Sequence, residues 1–180
     1  MAGFSPTLNV PHLKRKGLMT LFGGVKAPFY TPSEVFLEGQ PLKHDSAGGQ
    51  KVLKAGSLEG ALVFGLALQE TYTQSDPRLK GMRFPNDTRQ ELSDGVKIGV
   101  LMGHGFAQTL NYKGTISEGD QLYYDPADGK LIASGAAAVT GNKLPIRART
   151  GSAGTGGTGI SVPTLPNYIT IEFDFPTVTL

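Results

Sequence analysis

The side chains that could do chemistry are few and far apart. The 180-residue chain has three histidines and no cysteine, so disulfides and thiolate metal sites are excluded. His12, His44 and His104 fall in three separate segments, and no pair has the H-x-x-x-H spacing that sets two imidazoles on one helix face. A histidine-held metal is therefore not expected. His104 stands between Gly103 and Gly105. Two such glycines leave room for a close ligand, but a strand bulge accounts for them equally well. Gly154-Thr-Gly156-Gly-Thr-Gly159 fits G-x-G-x-x-G in its letters. A dinucleotide site needs a helix after it, and the next residues, Ile160-Ser-Val-Pro-Thr164, cannot open one. Asp125, Asp128 and Gly129 match part of a calcium loop but lack the ladder and closing Glu, which leaves a hairpin turn. Asn86-Asp-Thr88 is a glycosylation sequon in form, without consequence unless the chain is exported. No serine sits in a G-x-S-x-G elbow, and the carboxylates are scattered singly apart from turns. The expectation is a protein that is not an enzyme, with no catalytic residue, no metal and no cofactor.

Composition bounds the scaffold. The length suits one domain, or one domain with an arm. An apolar fraction of 39% can build a core, yet no apolar run approaches the roughly 20 residues of a membrane span. Met1 to Val10 lacks the basic and apolar regions of a signal peptide, so use without Sec export is expected. With 17 basic and 15 acidic side chains the net charge is +2, which argues against a dedicated nucleic-acid binder. The 25 glycines and 12 prolines break helices and mark turns, so an all-β body, a β-barrel or β-sandwich, is predicted.

Along the chain, residues 1–32 read as an extended N-terminal arm punctuated by Pro6, Pro11, Pro28 and Pro32. Its apolar residues show neither helical nor strand period. Scattered anchors on an extended segment suit docking on a partner surface, and the alternative is a terminal strand with loops that packs on its own domain. The candidate anchors are Phe4, Leu8, Val10, Leu18, Leu21 and Phe22, with Lys14, Arg15 and Lys16 placed to meet acidic surface. Residues 33–180 form the body. Val35, Leu37 and Leu42 alternate with polar residues, and Asp45 to Gly49 is a turn before a return strand at Lys51–Lys54. Gly60 to Thr71 is predicted as strand, because Gly60 and Gly65 count against helix while Val63-Phe64 favour strand. Residues 72–94 are a polar insertion. In it, Thr88-Arg-Gln-Glu91 matches a capping box and is predicted to open a helical turn. From Gly95 the alternation of Val96, Ile98, Val100 and Met102 marks a strand. Asp125 to Gly129 turns a hairpin, Leu144 to Arg149 is a strand, and residues 150–159 are a flexible Gly/Ser/Thr loop. In the last strand Ile169, Ile171, Phe173 and Phe175 face one way and Tyr168, Thr170, Glu172 and Asp174 the other.

Two segments echo each other 80 residues apart. Glu38-Gly39, Leu42, Asp45, Ala47 and Gly49 recur as Glu118-Gly119, Leu122, Asp125, Ala127 and Gly129. A turn, a strand with a buried Leu, an Asp-initiated turn and a return strand explain the match. Any two hairpins can converge on that chemistry, but six positions without a gap point to a common hairpin unit.

The phrases LEGALVFGLALQET, VKIGVLMGHGFAQ and ISEGDQLYYDPADGKLIASGAA resemble the decoration, or structural cement, proteins of tailed-bacteriophage heads. The resemblance covers roughly Val35 to Arg149 and rests on strand-and-turn patterns. It implies a homotrimer of β-barrels on the outer surface of a virion capsid, with the major capsid protein as partner and arms reaching over neighbouring coat subunits. No nucleic-acid or membrane partner is expected. The alternative is a carbohydrate- or receptor-binding β-domain of a virion fibre. Such domains usually display exposed aromatics, whereas this chain has no Trp and dispersed Tyr.

Overall fold

Short strands and glycine-closed turns assemble one mixed sheet. The computed structural model describes residues 18–48, 50–69, 71–72, 90–91, 96–151 and 168–176. The strands are β1 (Leu18–Pro32), β2 (Pro41–His44), β3 (Lys51–Lys54), β4 (Val63–Ala67), β5 (Thr71–Tyr72), β6 (Gln90–Glu91), β7 (Ile98–Thr109), β8 (Gln121–Asp125), β9 (Lys130–Ile132), β10 (Lys143–Ala148) and β11 (Ile169–Asp174). Among the described residues the helical pieces are two 3-10 turns, Gly60–Leu62 and Thr140–Asn142. The all-β expectation is met.

Nine strands hydrogen-bond in the order β1-β3-β2-β4-β7-β11-β10-β8-β9, and β1 also pairs with β7. That extra pairing closes a circuit, β1-β3-β2-β4-β7 and back to β1. A second circuit, β7-β11-β10-β8-β9, returns to the chain just past β7 through the parallel bridge Tyr112↔Leu131. The two circuits share β7.

The 80-residue echo extends well beyond the hairpins. The 3-10 turns at 60–62 and 140–142 stand at the same offset, as do the strands that follow them, β4 and β10. β1 meets β3 in parallel at Pro32↔Val52, and Tyr112 meets Leu131 in parallel at nearly the same offset. Small details repeat too. The Ala47 amide donates to Asp45 Oδ1 at 2.9 Å, and the Ala127 amide to Asp125 Oδ1 at 2.9 Å. The Leu37 amide donates to Gln40 Oε1, and the Ser117 amide to Asp120 Oδ2. Gly39 and Gly119 both take positive φ, 80° and 87°, where a Cβ would be strained. The chain is thus built from two like units.

Each unit has its own apolar cluster. Tyr30, Phe36, Leu42, Val52, Phe64, Ile98, Val100 and Met102 fill the first. Leu122, Tyr124, Leu131, Leu144, Ile146, Ile171 and Phe173 lie in the second, which is larger. β4 is buried along its whole length because Phe64 and Ala67 face one cluster while Val63 and Leu66 face the other. A strand covered on both faces loses its alternation, which is why GALVFGLALQET shows no clean period.

Several expectations need correction. Residues 18–32 belong to the sheet: β1 pairs antiparallel with β7 from Leu18↔Thr109 to Tyr30↔Ile98. Backbone hydrogen bonds hold it, and three register shifts scramble its side-chain alternation, so no period was visible. The expected arm is thereby cut back to residues 1–17, which lie outside the described residues. Residues 33–37 form no strand; Val35 and Leu37 are exposed and the intervening Phe36 is buried. Gln90-Glu91, expected in a helical turn, pair as a short parallel strand with Thr71-Tyr72. Most of the 72–94 insertion and the 150–159 loop lie outside the described residues. The last strand matches expectation: Ile169, Ile171, Phe173 and Phe175 are all buried.

The repeated Asp turns carry an acid sensitivity. Hydrogen bonds from the Ala47 amide and the Ser33 hydroxyl hold Asp45 below the usual carboxylate range. Lys113, then the Ala127 amide, do the same for Asp125. Depressed carboxylates contribute stability that is present above the unfolded-state pKa and lost as pH falls through the folded value. Urea midpoints should therefore drop between about pH 5 and about pH 2, and the drop should flatten in Asp45→Asn and Asp125→Asn variants. An unchanged acid limb in the double variant would remove these turns as its source.

Candidate interaction face

Four neighbouring strands, β1, β7, β11 and β10, present one face to solvent. Residues directly opposite in a sheet point to the same side. One cross-strand row runs Phe22↔Phe106↔Glu172↔Arg147 and ends on Gln121 of β8. The reverse side of these strands, with Ala107, Ile171, Phe173, Ile146 and Ala148, is the core. The face thus grades from aromatic to acidic to basic across three strand spacings of roughly 4.8 Å.

The aromatic end is exposed at Phe22. The rings of Phe22 and Phe106 stack with centroids 4.6 Å apart and planes 25° from parallel. Phe22 nonetheless keeps 64% of its surface in water. Beside it on β1, Leu21 and Val25 are also exposed. Large apolar side chains clustered on a surface mark a site of contact, where single ones do not. Leu21 falls at a register shift between Thr20 and Phe22, so the ladder does not clamp it inward.

His104 lies next along β7, its ring edge-on to Phe106 at 6.2 Å. Its Nε2 is 4.0 Å from Glu172 Oε1 and its Nδ1 is 3.9 Å from Asp174 Oδ1. Glu172 is held by Arg149, whose guanidinium donates to its other oxygen. His104 and Asp174 are solvent-facing and Glu172 is partly buried, and among the described residues no set of three such side chains is arranged to hold a metal ion. The glycines around His104 have a structural purpose. A Cβ on Gly105 would lie 2.7 Å from the Phe22 carbonyl oxygen and the Gly24 amide nitrogen, and Gly103 has φ 73°. They let β1 and β7 cross closely at the Gly23-Gly24 bend.

A groove at the junction of the two units is lined by Leu58, Lys113, Asp125, Val139 and Asn142. Its charges are spent on each other: Lys113 Nζ lies 2.6 Å from Asp125 and 3.0 Å from Asp128. Hydrogen bonding to Asp125 raises the Lys113 pKa, which keeps it a cation and unsuited to act as a base.

Of the anchors expected from the sequence, Leu21 and Phe22 are exposed and lie together, whereas Leu18 is 3% exposed and packs in the second cluster. Leu18 is corrected from surface contact to core, because its pairing with Thr109 turns it inward. Phe4, Leu8, Val10, Lys14, Arg15 and Lys16 lie outside the described residues. Sequence reading missed Phe106, Glu172 and Arg147 as members of one face with Phe22. Only the pairing register joins positions so distant in the chain.

No protein-family model matches the chain, and neither does any curated protein.

Proposed function

We propose that the protein is a non-enzymatic adhesive component of a virion, a decoration protein that binds the outside of a phage head and braces contacts between major capsid subunits. Three exposed apolar side chains close together along β1, Leu21, Phe22 and Val25, carry this reading. They sit on the strand that directly follows residues 1–17, where the other anchors lie. The phrase resemblance supplies the virion context. On this reading the two strand circuits are two small barrels sharing β7, and three copies sit around a three-fold of the shell. Weak contacts repeated by symmetry then combine through effective concentration. The fibre-domain alternative has less support, since the exposed Phe22 stacks on a half-buried Phe106 rather than forming an open sugar platform.

Purified protein mixed with undecorated heads is expected to bind stoichiometrically, and the free protein to run as a trimer by light scattering. Phe22→Ser should keep the fold, since the ring is mostly exposed, and weaken head binding roughly tenfold or more, as expected of an anchor near 1.4 kcal/mol or above. Undiminished binding of this variant would remove β1 from the contact. Failure of the parent protein to bind any head would sink the decoration reading. Deletion of residues 1–22 is a poor test, because it also takes Leu18 out of the core.

A further inference from the structure

We infer that the outward edge of β1 takes up an extended acidic protein segment as an added β-strand. The inference rests on the adhesive reading above and names what that surface grips. β1 pairs with β7 along one edge, and on its other edge meets β3 only at Thr31 and Pro32. Among the described residues nothing pairs with that outer edge from Leu18 to Tyr30. An unpaired edge presents a row of free amides and carbonyls to any chain that can extend beside it.

The two-unit construction says what such an edge is shaped for. β7 is the strand 80 residues on from β1, and its corresponding edge is covered by β1 itself. The same backbone course, down to positive φ at Gly23 and Gly103, already accepts an antiparallel strand in the second unit. In the first unit that position is unpaired among the described residues. The Gly23-Gly24 bend divides the edge, so the ladder on offer is Leu18 to Phe22, itself shifted in register at Leu21.

Charge selects the occupant. Residues 1–33 contain four of the chain's 17 basic side chains, Lys14, Arg15, Lys16 and Lys26, and none of its 15 acidic ones. Lys26 is exposed on β1. A strand alternating apolar and acidic residues would lay one set against the exposed apolar side chains of β1 and offer the other to Lys26. A second copy of β1 fits worse, since two such edges would bring like charges opposite each other.

The test uses the intact chain and two soluble eight-residue peptides, one alternating Val and Glu, the other Val and Lys. Hydrogen exchange is followed residue by residue. The Val/Glu peptide should slow exchange of the outward amides between Leu18 and Phe22 at least tenfold and bind at least tenfold tighter than the Val/Lys peptide. Lys26→Glu should weaken it severalfold. No protection on β1 from either peptide, or equal binding of both, overturns the inference. Protection of the same amides that rises with protein concentration alone, alongside a dimer mass, assigns the edge to a second copy and overturns it too. Decorated heads separate the two readings. Head binding without β1 protection discards the strand and keeps the decoration role, whereas peptide-protected β1 with no head binding does the reverse.

Discussion

Gly60→Ala is expected to destabilise the protein by about 3 kcal/mol or more, lowering the melting temperature by roughly 6–12 °C for a chain of this size. Gly60 opens the first 3-10 turn and is buried against the second. A methyl group there would run into the carbonyl oxygen of Lys143, with Gly141 O at 2.9 Å and the Asn142 carbonyl carbon at 3.0 Å. All three are backbone atoms, which cannot swing aside as a side chain would. The contact is reciprocal, since a Cβ on Gly141 would meet the Leu58 side chain at 2.7 Å and its Cα at 3.0 Å. Pushing the turns apart would also strain the polar seam between the units. There the Leu58 amide donates to Asn142 Oδ1 at 2.7 Å and the Glu59 amide to the Tyr124 hydroxyl at 3.0 Å. The Tyr124 hydroxyl in turn donates to the Gly56 carbonyl, and Asn142 Nδ2 donates to the Ala137 carbonyl at 2.9 Å. Buried groups that lose such partners cost about 1–3 kcal/mol each. Gly114→Ala is the control. It has φ 73° but open space around a Cβ, so it should cost only about 1 kcal/mol. Thermal scans of both variants decide the matter. A Gly60→Ala loss no greater than the control's would mean that the turns do not pack this tightly.

How far the sequence could be read depended on what kind of force fixes each element. Where side-chain alternation meets one buried face, as in β11, every inward and outward position was legible. The hairpin turns were legible because Asp and Gly do specific backbone work there. β1 was not, because main-chain pairing with β7 needs no periodicity and the bends at Thr20–Phe22 and Gly23–Val25 erase it. The duplication was visible only over the hairpins. Beyond them the units keep backbone course but not residue type: Gly60 answers to Thr140 and Phe64 to Leu144. The interaction face was hidden for a different reason. Phe22, Phe106, Glu172 and Arg147 become neighbours only through strand register, and a capping-box pattern such as Thr88 to Glu91 shows how short-range signals lose to pairing.

The shared strand makes the two units one cooperative body, and matched core truncations should reveal it. Leu42 and Leu122 are the same residue at the same offset, both fully buried, one in each cluster. Each Leu→Ala change should cost about 2–5 kcal/mol, with the spread set by how well the site collapses around the void. Independent units would unfold separately, and each variant would then shift only its own transition. The packing argues against that. β7 contributes Ile98, Val100 and Met102 to one cluster and Leu101 and Ala107 to the other, and β4 divides its side chains likewise. Melting the first unit would bare one face of β7 and remove β1 from its edge, leaving the second unit short of a wall. Melting the second would take β11 and the floor beneath Leu101. Neither half can therefore open at small cost while the other stays folded. Leu42→Ala and Leu122→Ala should each move a single transition, coincident by calorimetry and by tyrosine fluorescence. Their effects should add within about 0.5 kcal/mol in the double variant if the sites share no partner. Two resolved transitions, with each substitution shifting only one, would show that β7 does not couple the units.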